Sequence, residues 1–166
     1  MNMKIPKIVK GADLKGSCKD CTSIEEGEEI GKLLMAALVG SKNGVGLAAN
    51  QIGIQKRVCL INVRKPILLI NPRIVSKFDK FYYKEGCLSF PGEYVITERY
   101  KNIMVKADNH KHPIQFTCGT PESTLECACV QHEIDHLDGI LMFDRASPLA
   151  IPSAADLLIR GIKDGK

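Results

Sequence analysis

The chain has 166 residues, of which 45% are hydrophobic and 25% are charged. This composition is ordinary for a globular protein and argues against disorder, and the length predicts a single domain over residues 1–166. The net charge of +4 is spread along the chain, so direct nucleic-acid recognition is not expected.

No stretch of the sequence has the apolar run of a signal peptide or a transmembrane helix, so we expect a cytoplasmic protein without membrane contact. In that compartment the seven cysteines are expected to be reduced. Their odd number also argues against a complete disulfide framework. The thiols are therefore available as core residues or as metal ligands.

Residues 1–22 contain proline and glycine breaks and are expected to be irregular. The stretch SIEEGEEIGKLLMAALVG (23–40) then predicts a first helix, because Ser23 and Glu26 form a capping box and the apolar residues fall on one face. From residue 57 four short β-rich runs follow, separated by turn residues: RVCLINV, PILLINP, KNIMVKAD and PIQFTC. No helical pattern lies between these runs, which favours antiparallel or mixed sheets and an α+β fold.

A second helix is predicted over STLECACVQHEIDHLDG (123–139), with Ser123 and Glu126 as its capping box. Its histidines lie on a stripe shared with Leu125 and Cys129, which points toward whatever the helix packs against. One more short helix is predicted over residues 153–165.

The second helix carries an HExxH pattern. His132 and His136 are one turn apart and can bind the same divalent cation. Glu133 is rotated about 100° from His132 and can instead accept a proton from a water on that cation. The alternative interpretation is a pair of core histidines with no ligand. Common zinc proteases take a third ligand from further along the chain, but no His or Glu follows His136.

The third ligand must therefore come from upstream. His110 and His112 are expected in an exposed turn, and the other candidates are cysteines, whose thiolates bind Zn²⁺ or Fe²⁺ tightly. Five of these are less suitable. Cys59 is expected in a strand core, Cys18 and Cys21 form a lone CxxC pair, and Cys127 and Cys129 lie on the same helix as the histidines, too close to complete a tetrahedron. Cys118 and Cys87 remain, and the glycine and turn residues around Cys87 favour it without proving it.

Three segments, GVGLAANQ (44–51), EGCLS (85–89) and QHEIDH (131–136), resemble the signature motifs of peptide deformylases in order and spacing. The resemblance extends from about residue 24 to residue 149. It implies a fold in which antiparallel sheets surround the HExxH helix. It also implies removal of the formyl group from N-formylmethionyl peptides.

The resemblance further implies one divalent metal ion held by Cys87, His132 and His136, with Fe²⁺ expected and Zn²⁺, Ni²⁺ or Co²⁺ as alternatives. Glu133 would act as general base while metal-bound water attacks the formyl carbon. The side-chain amide of Gln51 and the backbone N–H of Leu88 would stabilise the oxyanion.

Other residues follow from the same resemblance. Six residues are expected to line the substrate pocket: Val45, Gly46, Gly86, Leu125, Ala128 and Cys129. All of them except the two glycines would form the apolar walls around methionine. Arg99 would pair with Glu85 and support the Cys87 segment, the alternative being an exposed ion pair of little value.

Two departures from the family pattern stand out. Tyr94 replaces an arginine that helps many bacterial members to hold the peptide. The stretch after Pro148 is short and has few basic residues, so ribosome docking is expected to be weak or absent, as would suit a phage-encoded or otherwise divergent member. We expect a monomer. A metallopeptidase and a non-catalytic metal-binding module are the competing hypotheses.

Overall fold

The computed structural model describes residues 4–14, 16–42 and 44–147. This part of the chain contains two α-helices and six strands, as the α+β prediction requires. The helices are α1 (Ile24–Val39) and α2 (Pro121–Leu137), and the strands are β1 (Gly46–Ala48), β2 (Val58–Asn62), β3 (Pro66–Ile70), β4 (Arg73–Cys87), β5 (Phe90–Lys106) and β6 (Ile114–Thr117). The helix predicted over residues 153–165 lies outside the described residues.

The strands form two three-stranded sheets in the orders β1-β2-β3 and β4-β5-β6. Every neighbouring pair of these strands is antiparallel, so of the two predicted arrangements the antiparallel one is correct. All four predicted β-rich runs are strands. The sequence analysis did not predict β1, β4 or the first half of β5; the last two form a long hairpin.

Helix α1 agrees with its prediction to one residue at each end. The Ser23 hydroxyl accepts a hydrogen bond from the backbone N–H of Glu26 (3.1 Å), as the capping box requires. The Glu26 carboxylate accepts a hydrogen bond from the backbone N–H of Thr22 (3.0 Å), whereas a capping box predicts the N–H of Ser23 as the donor. The apolar face of α1 packs on the first sheet, where Leu34 and Leu38 belong to the same buried cluster as Ile70.

Helix α2 begins two residues earlier than predicted, and its predicted capping box is wrong. Thr120 is the N-cap, and its hydroxyl accepts from the N–H of Ser123 (3.0 Å). Pro121 suits the first helical position because it has no N–H to leave unsatisfied. Glu126 therefore lies one turn inside the helix, where it pairs with Arg64 (2.6 Å).

Helix α2 lies between the two sheets, because it contacts β1 and β2 on one side and β5 and β6 on the other. Its C-terminal carbonyl groups, which have no partner within a helix, accept hydrogen bonds from three distant segments. Asn50 donates to the carbonyl of His136 (2.7 Å), and both the N–H of Cys18 (2.8 Å) and the side chain of Arg57 (3.3 Å) donate to that of Leu137.

The CxxC pair of the N-terminal segment is part of the core. Cys18 and Cys21 are each 7% exposed and belong to two different buried clusters. Burial raises the pKa of the Cys18 thiol and raises that of Cys21 to about 11. Both thiols are therefore neutral core residues. Neither helix in the described part of the chain has the length and hydrophobicity that a bilayer crossing requires.

Candidate metal centre

The two histidines of α2 face each other at the floor of a cleft. Both are buried, and their Nε2 atoms are 3.1 Å apart. This spacing follows from the helix, since residues i and i+4 lie on one face a single turn apart.

Cys87 reaches the same point from the second sheet. It is the last residue of β4, where the pairing of β4 with β5 shifts register between Gly86 and Cys87. A bulge of this kind redirects a side chain at a strand end. The Sγ atom lies 3.4 Å from His136 Nε2, and the three candidate ligand atoms lie within 4.8 Å of one another.

The chemistry of these donors fits a divalent cation. His132 Nδ1 is 2.9 Å from the Glu85 carboxylate, which can only accept, so Nδ1 carries the proton and donates. In a neutral imidazole Nε2 then presents its lone pair to His136 and Cys87. Two imidazole nitrogens and a thiolate that converge in this way are a typical ligand set for Zn²⁺ or Fe²⁺. His136 Nδ1 is buried without a hydrogen-bond partner in the described residues.

Glu85 connects His132 to a buried ion-pair network. Arg99 donates two hydrogen bonds to Glu85 (2.6 and 2.7 Å) and a third to Asp135 (2.5 Å). Thr97 donates another to Glu85 (2.6 Å). Burial alone would raise the pKa of Glu85, but the hydrogen bonds from Arg99 and His132 outweigh burial and lower the pKa to about 2. The Glu85–Arg99 pair is thus buried, and the alternative of an exposed pair is wrong.

Asp135 extends this network beyond the motif residues that the sequence analysis selected. It accepts hydrogen bonds from Arg99 on β5 and from Arg145 (3.0 and 3.1 Å) on the 3-10 turn Met142–Arg145. It therefore ties α2 to two other elements next to His136. Its position inside HEIDH is the signal that could have identified it.

Glu133 is buried beside the candidate ligands, and its Oε1 atom has no hydrogen-bond partner in the described residues. Burial raises the pKa of this carboxyl to about 7, against the lowering effect of the nearby Arg99 guanidinium. Gly46 of β1 passes very close to it. A Cβ atom on Gly46 would lie 2.9 Å from Glu133 Oε2 and would collide with Cys129 Sγ, so only glycine fits there.

The amide of Gln51 is held in a defined orientation on the other side of Cys87. Its Oε1 accepts from the N–H of Ala48 (2.9 Å), which leaves the NH₂ group facing Ser89 Oγ (3.2 Å) and Cys87 Sγ (3.7 Å). Ser89, the last residue of EGCLS, was not selected from the sequence. Leu88 lies between Cys87 and Ser89, and its carbonyl accepts a hydrogen bond from Lys10 (3.1 Å).

The site opens into a cleft of about 630 Å³. All six residues predicted for the substrate pocket line it: Val45, Gly46, Gly86, Leu125, Ala128 and Cys129. Tyr94 stands at the mouth with 65% of its surface exposed, and Lys84 lies over its ring, 5.2 Å from the centroid. Of the rejected ligand candidates, Cys129 lines the cleft as a wall residue, and the histidines of the β5–β6 turn lie elsewhere. His110, for example, contacts the carbonyl of Leu68 (2.9 Å) in the turn between β5 and β6.

Comparison with known proteins agrees with this geometry. A family model described as polypeptide deformylase matches residues 5–151. Peptide deformylase 2 of Vibrio cholerae is 32% identical over an alignment that covers 98% of each chain. The peptide deformylase of Heliobacterium modesticaldum is 38% identical and covers 86% of this chain and 95% of its own.

Solved structures show the same similarity. The crystal structure of peptide deformylase from Thermotoga maritima has a TM-score of 0.76 and 33% sequence identity, covering 88% of this chain and all of that one. The family match spans most of the chain, and the shared fold places its three motifs around one cleft. The chain therefore belongs to the peptide deformylase family.

Proposed function

We propose that this protein hydrolyses the formamide of N-formylmethionine at the start of nascent peptides, using Cys87, His132 and His136 as metal ligands. The overall reaction is that of the family: water cleaves the bond between the formyl carbon and the amine nitrogen, releasing formate and a free amine. The convergence of three ligand atoms beside the unpartnered carboxyl of Glu133 is the observation that carries the proposal.

The ligand set suits one divalent ion, which supplies Lewis acidity and an activated water. A thiolate and two imidazoles accommodate Fe²⁺, Zn²⁺, Ni²⁺ or Co²⁺. We propose Fe²⁺ as the native ion, on the basis of the family resemblance. The Glu85 carboxylate supports this arrangement because its contact with His132 Nδ1 (2.9 Å) fixes the tautomer that a ligand needs.

Glu133 moves the proton. Its Oε1 atom is buried and has no protein partner in the described residues, so it is free to accept a proton from the attacking water. The same oxygen then returns that proton to the departing amine, which would otherwise leave as an unstable anion. Because the carboxyl is buried against Gly46, it has little room to turn away from the reacting atoms.

Gln51 and Leu88 stabilise the negative charge that develops on the formyl oxygen. The bond from the Ala48 N–H to its oxygen keeps the Gln51 NH₂ group on the side of Cys87, and the N–H that now faces Cys87 Sγ (3.7 Å) is the one available to the oxyanion. The backbone N–H of Leu88 is the second donor. Its segment is held by Lys10, which donates to the Leu88 carbonyl, and by Gly11, whose N–H donates to the carbonyl of Ser89 (3.1 Å).

The cleft sets the choice of substrate. Leu125, Ala128 and Cys129 of α2 give it an apolar wall that suits the thioether side chain of methionine.

We also propose that the protein acts in the cytoplasm as a monomer with weak or absent ribosome docking. All seven cysteines are free, as expected in a reducing compartment.

The proposal is tested by measuring formate release from formyl-Met-Ala-Ser. The protein is purified without air, stripped of metal and reloaded with Fe²⁺, Ni²⁺ or Zn²⁺. Cys87→Ala should bind far less than one metal ion per chain and lose its activity, whereas Cys118→Ala should retain both. Metal content is read separately by elemental analysis. Equal metal binding by the two variants would exclude Cys87 as a ligand, and no formate release by the metal-loaded wild type would exclude the reaction.

A further inference from the structure

Among the exposed residues that line the cleft, positive charges outnumber negative ones. Three lysines line the cleft, Lys10, Lys42 and Lys84, and all three are exposed. None of them forms an ion pair with a carboxylate within the described residues, whereas Lys32, Lys56 and Lys80 each do so elsewhere on the surface. Glu93 is the one exposed acidic residue among those that line the cleft.

Contacts fix two of these ammonium groups in place. Lys10 donates to the carbonyl of Leu88 (3.1 Å), which places its charge next to the segment proposed to bind the formyl oxygen. Lys84 lies over the ring of Tyr94, 5.2 Å from the centroid, and this cation–π contact keeps its charge at the mouth. Both side chains leave donor capacity for a ligand, because an ammonium group has three N–H donors.

We propose that this basic rim selects formylmethionyl peptides with an acidic side chain beyond the first two residues. The inference rests on the proposed function, since it concerns the same cleft. Formylmethionine carries no charge and occupies the apolar floor, so the rim cannot act on it. The charges act instead on the part of the peptide that extends outward.

The strand geometry indicates which peptide residue is affected. Cys87 and Lys84 are three residues apart on β4, which corresponds to about 10 Å along a strand. In the proposed complex an extended peptide runs along β4 from Cys87 toward Lys84, and it advances by the same distance over three residues. The third residue of the peptide then lies beside Lys84, and a carboxylate there would gain an ion pair.

The test compares formyl-Met-Ala-Glu, formyl-Met-Ala-Gln and formyl-Met-Ala-Lys, all amidated at the C-terminus, as substrates of the metal-loaded enzyme. We expect kcat/KM to be about tenfold higher for the Glu peptide than for the Lys peptide at 10 mM salt, mainly through KM. The ratio should fall to about twofold or less at 1 M salt, where the screening length shrinks from about 30 Å to about 3 Å.

The variants Lys84→Gln and Lys10→Gln identify the source of the preference. Each should lower the Glu-to-Gln ratio of kcat/KM at 10 mM salt, and a ratio cancels any general change in activity. Lys77→Gln is a matched control, because Lys77 lies over Tyr100 (5.0 Å) on the same hairpin but outside the cleft. It should leave the ratio unchanged.

Equal kcat/KM values for the three peptides, or an equal effect of Lys77→Gln, would overturn the inference. If a cleft variant does not fold, the three peptides tested on the wild type at two salt concentrations still show whether acidic peptides are preferred. Formate release that is the same from all three peptides would leave the deformylase function standing. No release from any of them would contradict that function itself.

Discussion

The two helices of this protein place their residues in opposite ways. Helix α1 buries an apolar stripe on the first sheet and exposes its charged residues. Helix α2 is buried over most of its length although it carries Gln131, His132, Glu133, Asp135 and His136. Burying polar groups costs free energy unless each finds a partner, and most of these do. The difference shows that α1 contributes mainly apolar packing to the fold, whereas α2 places the polar residues of the candidate site in the interior.

The largest expected effect concerns Glu133, the buried carboxyl of α2 whose Oε1 atom has no hydrogen-bond partner in the described residues. Glu133→Ala should lower kcat/KM for formyl-Met-Ala-Ser by about a thousandfold or more, because it removes the proton carrier. Metal content should stay near one per chain, since Glu133 is not a proposed ligand. Glu28→Ala, an exposed change on α1, should alter neither quantity. Comparable turnover by Glu133→Ala and the wild type would contradict the assigned role.

The next effect concerns the buried charges beside α2. Arg99→Leu should lower the free energy of unfolding by about 3–5 kcal/mol, because it leaves the buried Glu85 carboxylate without its arginine and leaves Asp135 with Arg145 alone. Urea unfolding followed by circular dichroism measures the change. Lys32→Leu on α1 breaks an ion pair that is exposed to solvent and should change stability little. Equal losses in the two variants would contradict the comparison between the helices.

The smallest effect concerns the packing of α1. Gly27→Ala would add a Cβ atom 2.5–2.7 Å from three atoms of the buried Ile70 side chain. Overpacking of this kind costs about 1–3 kcal/mol, which exceeds the gain of about 1 kcal/mol in helix propensity. We therefore expect a net loss of about 1 kcal/mol in urea unfolding. Adding Ile70→Val to this variant should restore part of the lost stability. A Gly27→Ala protein that is more stable than the wild type would show that the Ile70 side chain moves aside at little cost.

The same contrast explains how much of the molecule could be predicted from its sequence. Helix α1 was predicted to within one residue, because the apolar residues of an amphipathic surface helix recur in the sequence with the helical period. Strand β4 was missed, since most of its residues are exposed and its stability comes from pairing with β5 rather than from an apolar face. The start of α2 was misplaced because Ser123 and Glu126 imitate a cap that Thr120 and Pro121 provide.

The candidate site was predictable only in part. Spacing identified His132 and His136, and elimination favoured Cys87, because these arguments need only local sequence and known ligand chemistry. Asp135 and Ser89 were missed because their roles depend on partners that lie 36 and 38 residues away in the chain. The basic rim was missed for the same reason: Lys10 and Lys84 meet at one cleft only after the sheets have formed.

The capped end of α2 has a consequence for the lifetime of the site. A helix normally frays from its last turn, because the final carbonyl groups are open to water. Here Asn50, Arg57 and the backbone of Cys18 occupy the carbonyl groups of His136 and Leu137. Unwinding the turn of His136 therefore breaks contacts with three separate segments as well as the hydrogen bonds of the helix. The rear wall of the site should open less often than a free helix end, and adaptation to what enters is left to the cleft side.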